Sequence, residues 1–171
     1  MYSLFYYLRK LLDGNKLSFP FAVLKSESPD FILISADGKK IGLEIAEITT
    51  EEYQRYLTEQ SVKESVDVKI LLDMPYVGDS VEQEWSELAK NIILQKLNKL
   101  NSIFSTYAEN RLVLYSNTHL PNIYYDVAQK MLSQKMNDTL LNSDISKGFD
   151  TINIIYGENV LLDFLVERKE N

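Results

Sequence analysis

The sequence predicts a mixed α/β fold, with α+β character: a single domain over residues 1–171, built on a central mixed β-sheet flanked by helices. Strand patterns occur singly and in hairpins between helical patterns, which is typical of a mixed sheet covered by helices. A length of 171 residues, 45% of them hydrophobic, is enough to bury one substantial core. No apolar run approaches the roughly 18 residues of a membrane span, so we expect no membrane partner.

The first elements are a helix and a hairpin. Apolar residues at helical spacing predict a helix over residues 1–12, which Asp13-Gly14-Asn15 ends. Pro20 makes residues 19–25 an edge strand or a strand that begins late. Two apolar runs, residues 31–35 and 41–48, flank Asp37-Gly38, which is a strong hairpin signal.

The rest of the chain alternates helices with short strands. Acidic residues after the hydroxyls Thr49-Thr50 predict a polar helix, and Asp79-Ser80 caps the longest helix. The remaining predictions, in chain order, are a helix over residues 51–65, a strand over 66–73, a helix over 81–107, a strand over 111–115, a helix over 121–141 and a closing hairpin of 152–156 with 160–166.

Two carboxylates occupy fixed places on the hairpin. Asp30 follows Pro29 directly at the start of the first strand, and Glu44 lies in the middle of the second strand. Strand interiors disfavour Glu, so its presence there is unusual. A carboxylate in such a place needs a cation, a hydrogen-bond network or solvent on its face.

Lys96 is a second unusual residue, because it lies within the apolar stripe of the longest helix. At about 100° per residue it falls between Ile92 and Leu100, on the arc that begins at Trp85. A lysine there either snorkels along the helix to solvent or finds a partner inside. The helical wheel makes Lys96 the best candidate for an inward-facing cation.

The hairpin resembles the PD-(D/E)xK nuclease-like superfamily, also called restriction-endonuclease-like. The residues that carry the resemblance are Pro29-Asp30 and Glu44-Ile45-Ala46, and the surrounding sequence is similar to small bacterial members that lack the lysine of the motif. The resemblance implies a restriction-endonuclease-like core over about the first 120 residues. It also implies that Asp30 and Glu44 bind Mg²⁺ for phosphodiester hydrolysis of nucleic acid.

The departure from the motif is Ala46, which stands where the superfamily has its lysine. One possibility is that the lysine has moved, with Lys96 as its replacement and Asp30, Glu44 and Lys96 as the catalytic set. Another is that a different side chain takes the role of that lysine. Glu47 lies on the opposite strand face and is a poor substitute, and Glu27 is either a further ligand or part of a solvated bend. The third is that the site is inactive and the fold is a binding scaffold.

Charge and composition favour that last possibility. The net charge is -7, and 11 tyrosines suit a contact surface. An acidic chain associates quickly with basic proteins and is poorly suited to phosphate binding, although charge can be local. The alternative function is therefore a non-catalytic interaction protein, such as a bacterial immunity or antitoxin protein that neutralises a basic toxin.

The remaining observations concern the cellular compartment and the single histidine. The chain has no cysteine, which excludes disulfides and thiolate metal sites, and its start lacks the features of a signal peptide. We therefore expect a cytoplasmic protein, and the oligomeric state is left open. His119 precedes a helix in a turn, where a lone histidine is usually solvated.

Overall fold

The computed structural model describes residues 2–50, 58, 80–99, 106–116, 120, 123–141, 148–156 and 159–165. Its helices are numbered along these ranges as α1 (Tyr2–Asp13), α2 (Val81–Asn98) and α3 (Tyr125–Leu141). Its strands are β1 (Ala22–Lys25), β2 (Phe31–Ile34), β3 (Lys40–Ile48), β4 (Glu109–Ser116), β5 (Thr151–Tyr156) and β6 (Asn159–Leu165).

The described strands form one mixed sheet in chain order, from β1 at one edge to β6 at the other. β1, β2 and β3 form an antiparallel meander, and β6 is antiparallel to β5. β4 runs parallel to β3, and β5 runs parallel to β4. Parallel neighbours require crossover connections, and α2 and α3 lie in the two connections. The predicted mixed α/β architecture is thus confirmed.

Each face of the sheet is covered by helices. α2 and α3 pack on one face, where their buried residues meet Ile48 of β3 and the apolar residues of β4 and β5. α1 packs on the other face, against Leu43 of β3 and Val113 of β4. Because successive side chains of a strand point to opposite faces, the even-numbered residues of β3 face α2 and its odd-numbered residues face α1.

The first helix, the late edge strand and both hairpins agree with the sequence-based predictions. Gly38 has a φ of 82°, which explains why the hairpin turn needs glycine at that position. Ser80 caps α2 as expected, since its Oγ accepts the N–H of Gln83 at 3.2 Å. The helix predicted at 51–65, apart from Thr58, and the strand at 66–73 lie outside the described residues, as does His119.

Two helix boundaries were predicted wrongly. α2 ends at Asn98 and not at residue 107, because the chain must return to pair with β3: the N–H of Ala108 already donates to the carbonyl of Lys40. α3 begins at Tyr125 and not at residue 121. The N–H of Tyr124 is held by Glu82 of α2 at 3.0 Å, so this residue is tied to a neighbouring helix before α3 starts. Within the described ranges, none of the helices combines the length and apolar character that a membrane span requires.

Candidate functional site

β3 is longer than the strand beside it, and this leaves part of its edge open. β2 pairs with β3 only from Ile34↔Lys40 to Phe31↔Leu43. On its other side, β3 is paired with β4 as far as Ile48↔Ser116. Residues 44–48 therefore extend beyond β2, and within the described part of the chain no strand pairs with them on that side. We call these five residues the overhang.

Asp30 lies at the open edge of the overhang. Its Oδ2 accepts the N–H of Ile45 at 2.7 Å, in the place where a longer β2 would supply a main-chain carbonyl. The N–H and C=O groups of a strand residue lie on the same side, so the carbonyl of Ile45 points to this edge as well. The backbone of Asp30 is fixed too, because its carbonyl accepts the N–H of Ser26 at 2.9 Å.

A glycine allows the segment before Asp30 to approach β3. A Cβ placed on Gly42 would lie 3.1 Å from Cγ of Pro29, 3.2 Å from Cδ2 of Tyr107 and only 2.9 Å from Oδ1 of Asn110. A methyl group would fit only if these neighbours shifted, so glycine at residue 42 allows Pro29 to pack where it does. Gly42, two residues before the overhang, thus helps to position Asp30.

Glu44 begins the overhang and faces α2. Its Oε1 lies 2.5 Å from Nζ of Lys96, and the two side chains are 17% and 29% exposed. This ion pair supplies the cation that a carboxylate in a strand requires. Lys96 therefore turns toward the sheet. Asp30 is not part of the ion pair: among the described residues, the N–H of Ile45 is the group that holds its carboxylate.

A cavity of about 270 Å³ opens at the same edge. Ile45, Ala46 and Glu47 all line it, and three consecutive strand residues can share a cavity only where it faces the edge of their strand. Asp30 lines it as well, with Lys25 of β1 and Tyr115 of β4 contributing further polar groups. Glu44 is not part of the lining, since it faces α2.

Glu47 lies at the same edge. The sequence places it on the strand face opposite to Glu44 and predicts a poor substitute for the motif lysine, and the structure agrees on the face. At an open edge, however, the two faces are not separated by a neighbouring strand, and Glu47 shares the cavity with Asp30. The unequal lengths of the apolar runs at 31–35 and 41–48 were the signal that could have revealed the overhang.

Tyr115 was not singled out by the sequence, and it is the direct neighbour of Glu47. The two residues are paired in the register of β3 and β4. Burial raises the pKa of Tyr115 above its ordinary value of 10.0, and the charge and hydrogen bond of Glu47 raise it further. The hydroxyl therefore stays protonated at neutral pH and donates to the Glu47 carboxylate.

The other sequence candidates contribute less. Glu27 is exposed and does not line the cavity. Ala46 packs against the core on the α2 face, so that strand position provides no cation.

Asp30 and Glu44 are the carboxylates that could hold a divalent ion at the overhang. Carboxylate oxygens are the kind of ligand that Mg²⁺ prefers, but Asp30 lies at the strand edge and Glu44 faces α2. In the ranges that the structure describes, no three Asp, Glu, His or Cys side chains come together as a metal cluster. Two carboxylates are nevertheless a usual protein contribution to Mg²⁺, which keeps several water ligands.

A scan against protein-family models, a search of curated proteins and a search of solved structures found no match to this chain. The resemblance of the hairpin to the PD-(D/E)xK superfamily stays a prediction from its residues.

Proposed function

We propose that this chain is a divergent PD-(D/E)xK-type phosphodiesterase that hydrolyses nucleic acid with a divalent ion such as Mg²⁺. The observation that carries the proposal is the 2.5 Å contact between Lys96 and Glu44. It brings an ammonium group from α2 to the strand face on which Ala46 replaces the lysine of the motif.

In this proposal each residue has a separate task. Asp30, at the strand edge, and Glu44, on the α2 face of the overhang, are the residues that would hold the ion. The ion, when bound, polarises the phosphate and acidifies a water molecule. Lys96 balances the charge of Glu44 and stabilises negative charge that develops on the phosphate. The N–H of Ile45 keeps the Asp30 carboxylate oriented toward the strand edge.

The order of elements supports a restriction-endonuclease-like core. Among the described elements, a helix is followed by three antiparallel strands, and then by a helix and a strand parallel to the third. This is the order that the resemblance implies. The two acids lie where the second and third strands meet, and the replacement lysine lies on the helix of the crossover.

The test is cleavage of plasmid, linear DNA and RNA with Mg²⁺ or Mn²⁺. We expect the wild type to cleave at least one substrate, and Asp30→Asn, Glu44→Gln and Lys96→Met each to lose about 100-fold or more in rate. Lys130→Met on the exposed side of α3 is the matched control and should keep wild-type activity. If the wild type neither cleaves nor binds a divalent ion in calorimetry, the enzyme proposal is wrong.

The second candidate is an interaction protein, for example an immunity or antitoxin protein with a basic partner. The net charge of -7 favours it, and so does the edge strand β1, where Leu24 and the preceding Phe19 are exposed. A stable complex captured from the native host, with affinity that falls as salt rises, would support this function. A wild type that cleaves, with the loss of rate expected for the three site variants, would favour the enzyme.

For either function we propose that the protein is located in the cytoplasm, since the chain has no cysteine.

A further inference from the structure

A second cavity lies where α3 begins beside the end of β5, and it shares no lining residue with the cavity at the overhang. Its volume is about 460 Å³, inside the range of about 300–1,000 Å³ that is usual for ligand-binding cavities. The residues that line it are uncharged, and three of the five are tyrosines: Leu120, Ile123, Tyr124, Tyr125 and Tyr156. We call this cavity the tyrosine cleft.

The tyrosine cleft combines a fixed aromatic wall with rings that solvent reaches. The ring of Tyr125 lies 3.6 Å from that of Tyr156 and meets Trp85 edge-on at 5.7 Å, measured between centroids. Trp85 is buried and donates its Nε1–H to Oγ of Ser116 at 3.0 Å, so the wall is anchored in the core. Tyr124 and Tyr156 are 73% and 40% exposed, and exposed tyrosines are typical of contact surfaces.

The charge beside the tyrosine cleft is negative. Oε1 of Glu82 on α2 accepts the N–H of Tyr124 at 3.0 Å. This hydrogen bond is the main cause that lowers the pKa of Glu82, so the carboxylate is ionised at neutral pH. Asp126, the residue after Tyr125, is exposed in the first turn of α3. Both carboxylates attract a cation and repel a phosphate group at this place.

We propose that the tyrosine cleft binds an arginine side chain of a basic protein partner; the inference rests on the second proposed function, a complex with such a partner. A guanidinium group is planar and cationic, so it can stack on the exposed tyrosine rings while its N–H groups approach Glu82. A nucleobase also stacks on tyrosine, but its chain carries phosphates that Glu82 and Asp126 repel. The net charge of -7 steers basic proteins toward the chain in the same way.

The test is calorimetry of the full chain with a short Gly-Ser peptide that contains an Arg-Gly-Arg sequence. Two matched peptides separate charge from shape. Citrulline in place of arginine keeps the planar group without the charge, and lysine keeps the charge without the plane. The arginine peptide should bind at least about 5-fold more tightly than either of them, and its affinity should fall as salt rises.

Variants of the cleft locate the binding. Tyr124→Ala should weaken binding of the arginine peptide about 5- to 30-fold, while Tyr124→Phe keeps the ring and should stay near the wild-type value. Glu82→Gln keeps an acceptor for the N–H of Tyr124 but removes the charge, so it should weaken binding and reduce its salt dependence. Phe19→Ala is the matched control, since Phe19 is 74% exposed against 73% for Tyr124, and it should bind as wild type.

The outcomes separate this inference from the second proposed function. If Tyr124→Ala and Glu82→Gln bind the arginine peptide as tightly as the wild type, the inference is overturned. It is also overturned if a single-stranded oligonucleotide binds in place of the peptide and loses affinity in Tyr124→Ala. A basic partner from the native host that binds Tyr124→Ala as well as wild type leaves the interaction function standing without this cleft. Binding of the peptide by the cleft, with no salt-sensitive complex from the host, contradicts that function while the guanidinium site stands.

Discussion

The contact between Glu44 and Lys96 makes a quantitative prediction about stability. Glu44→Gln and Lys96→Met each remove one charge and keep most of the side-chain volume, and the double variant removes both. The two side chains are 17% and 29% exposed, which places the pair between a surface ion pair and a buried one. Removing one partner should therefore cost about 1–3 kcal/mol, less than the 3–5 kcal/mol of a fully buried pair.

The double variant should be less destabilised than the sum of the two single variants. We expect a coupling energy of about 1 kcal/mol, because each single variant leaves a partly buried charge without its partner. Urea unfolding can be followed by the fluorescence of Trp85, the one tryptophan, which is buried between α2 and the sheet. A cost of 1 kcal/mol corresponds to a fall in Tm of roughly 2–4 °C for a chain of this length.

Arg9 and Asp13 on α1 provide the control pair. Their charged atoms lie 3.9 Å apart, and the side chains are 59% and 62% exposed. The coupling there should be only about 0.3–0.5 kcal/mol. If the coupling of Glu44 with Lys96 is no larger, the contact does not hold in solution. The reasoning that a cation from α2 replaces the missing lysine would then be refuted.

Three further predictions concern the support of the site. Gly42→Ala should destabilise the protein by about 1–3 kcal/mol, since its Cβ would lie 2.9 Å from Oδ1 of Asn110, and urea unfolding measures the loss. Ser80→Ala should cost about 1 kcal/mol through loss of the α2 cap, measured as a lower Tm. Burial alone would raise the pKa of Glu109, but Arg111 and Lys39 outweigh it and lower that pKa. Stability should thus fall as pH drops below about 4.5 through the lowered pKa, and Glu109→Gln should show a shallower fall.

The fold was predictable where local signals are strong. The Asp37-Gly38 turn, the capping serine of α2 and the alternation of helix and strand patterns depend on neighbouring residues, and the structure confirms each of them. The ends of α2 and α3 were not predictable in this way. Contacts distant in sequence set them: the pairing of Ala108 with Lys40, and the hydrogen bond of Tyr124 with Glu82.

The candidate site was likewise predictable only where local signals decide. The helical wheel could place Lys96 on the side facing the sheet, because helix periodicity is a local property. The distance to Glu44 could not be derived, since it depends on how α2 crosses β3. That Glu47 and Asp30 line one cavity also escaped prediction. Strand alternation gives the face of each residue but does not show where the neighbouring strand ends.

The short length of β2 determines how the whole site is arranged. In the interior of a sheet, every main-chain group of β3 would already be paired with a neighbouring strand. Because the pairing of β2 with β3 extends only to Phe31↔Leu43, the carboxylate of Asp30 accepts the N–H of Ile45 in place of a main-chain carbonyl. A longer β2 would replace this contact with a main-chain hydrogen bond and close the cavity. The short strand after Pro29-Asp30 therefore matters to the proposed chemistry as much as the acids do.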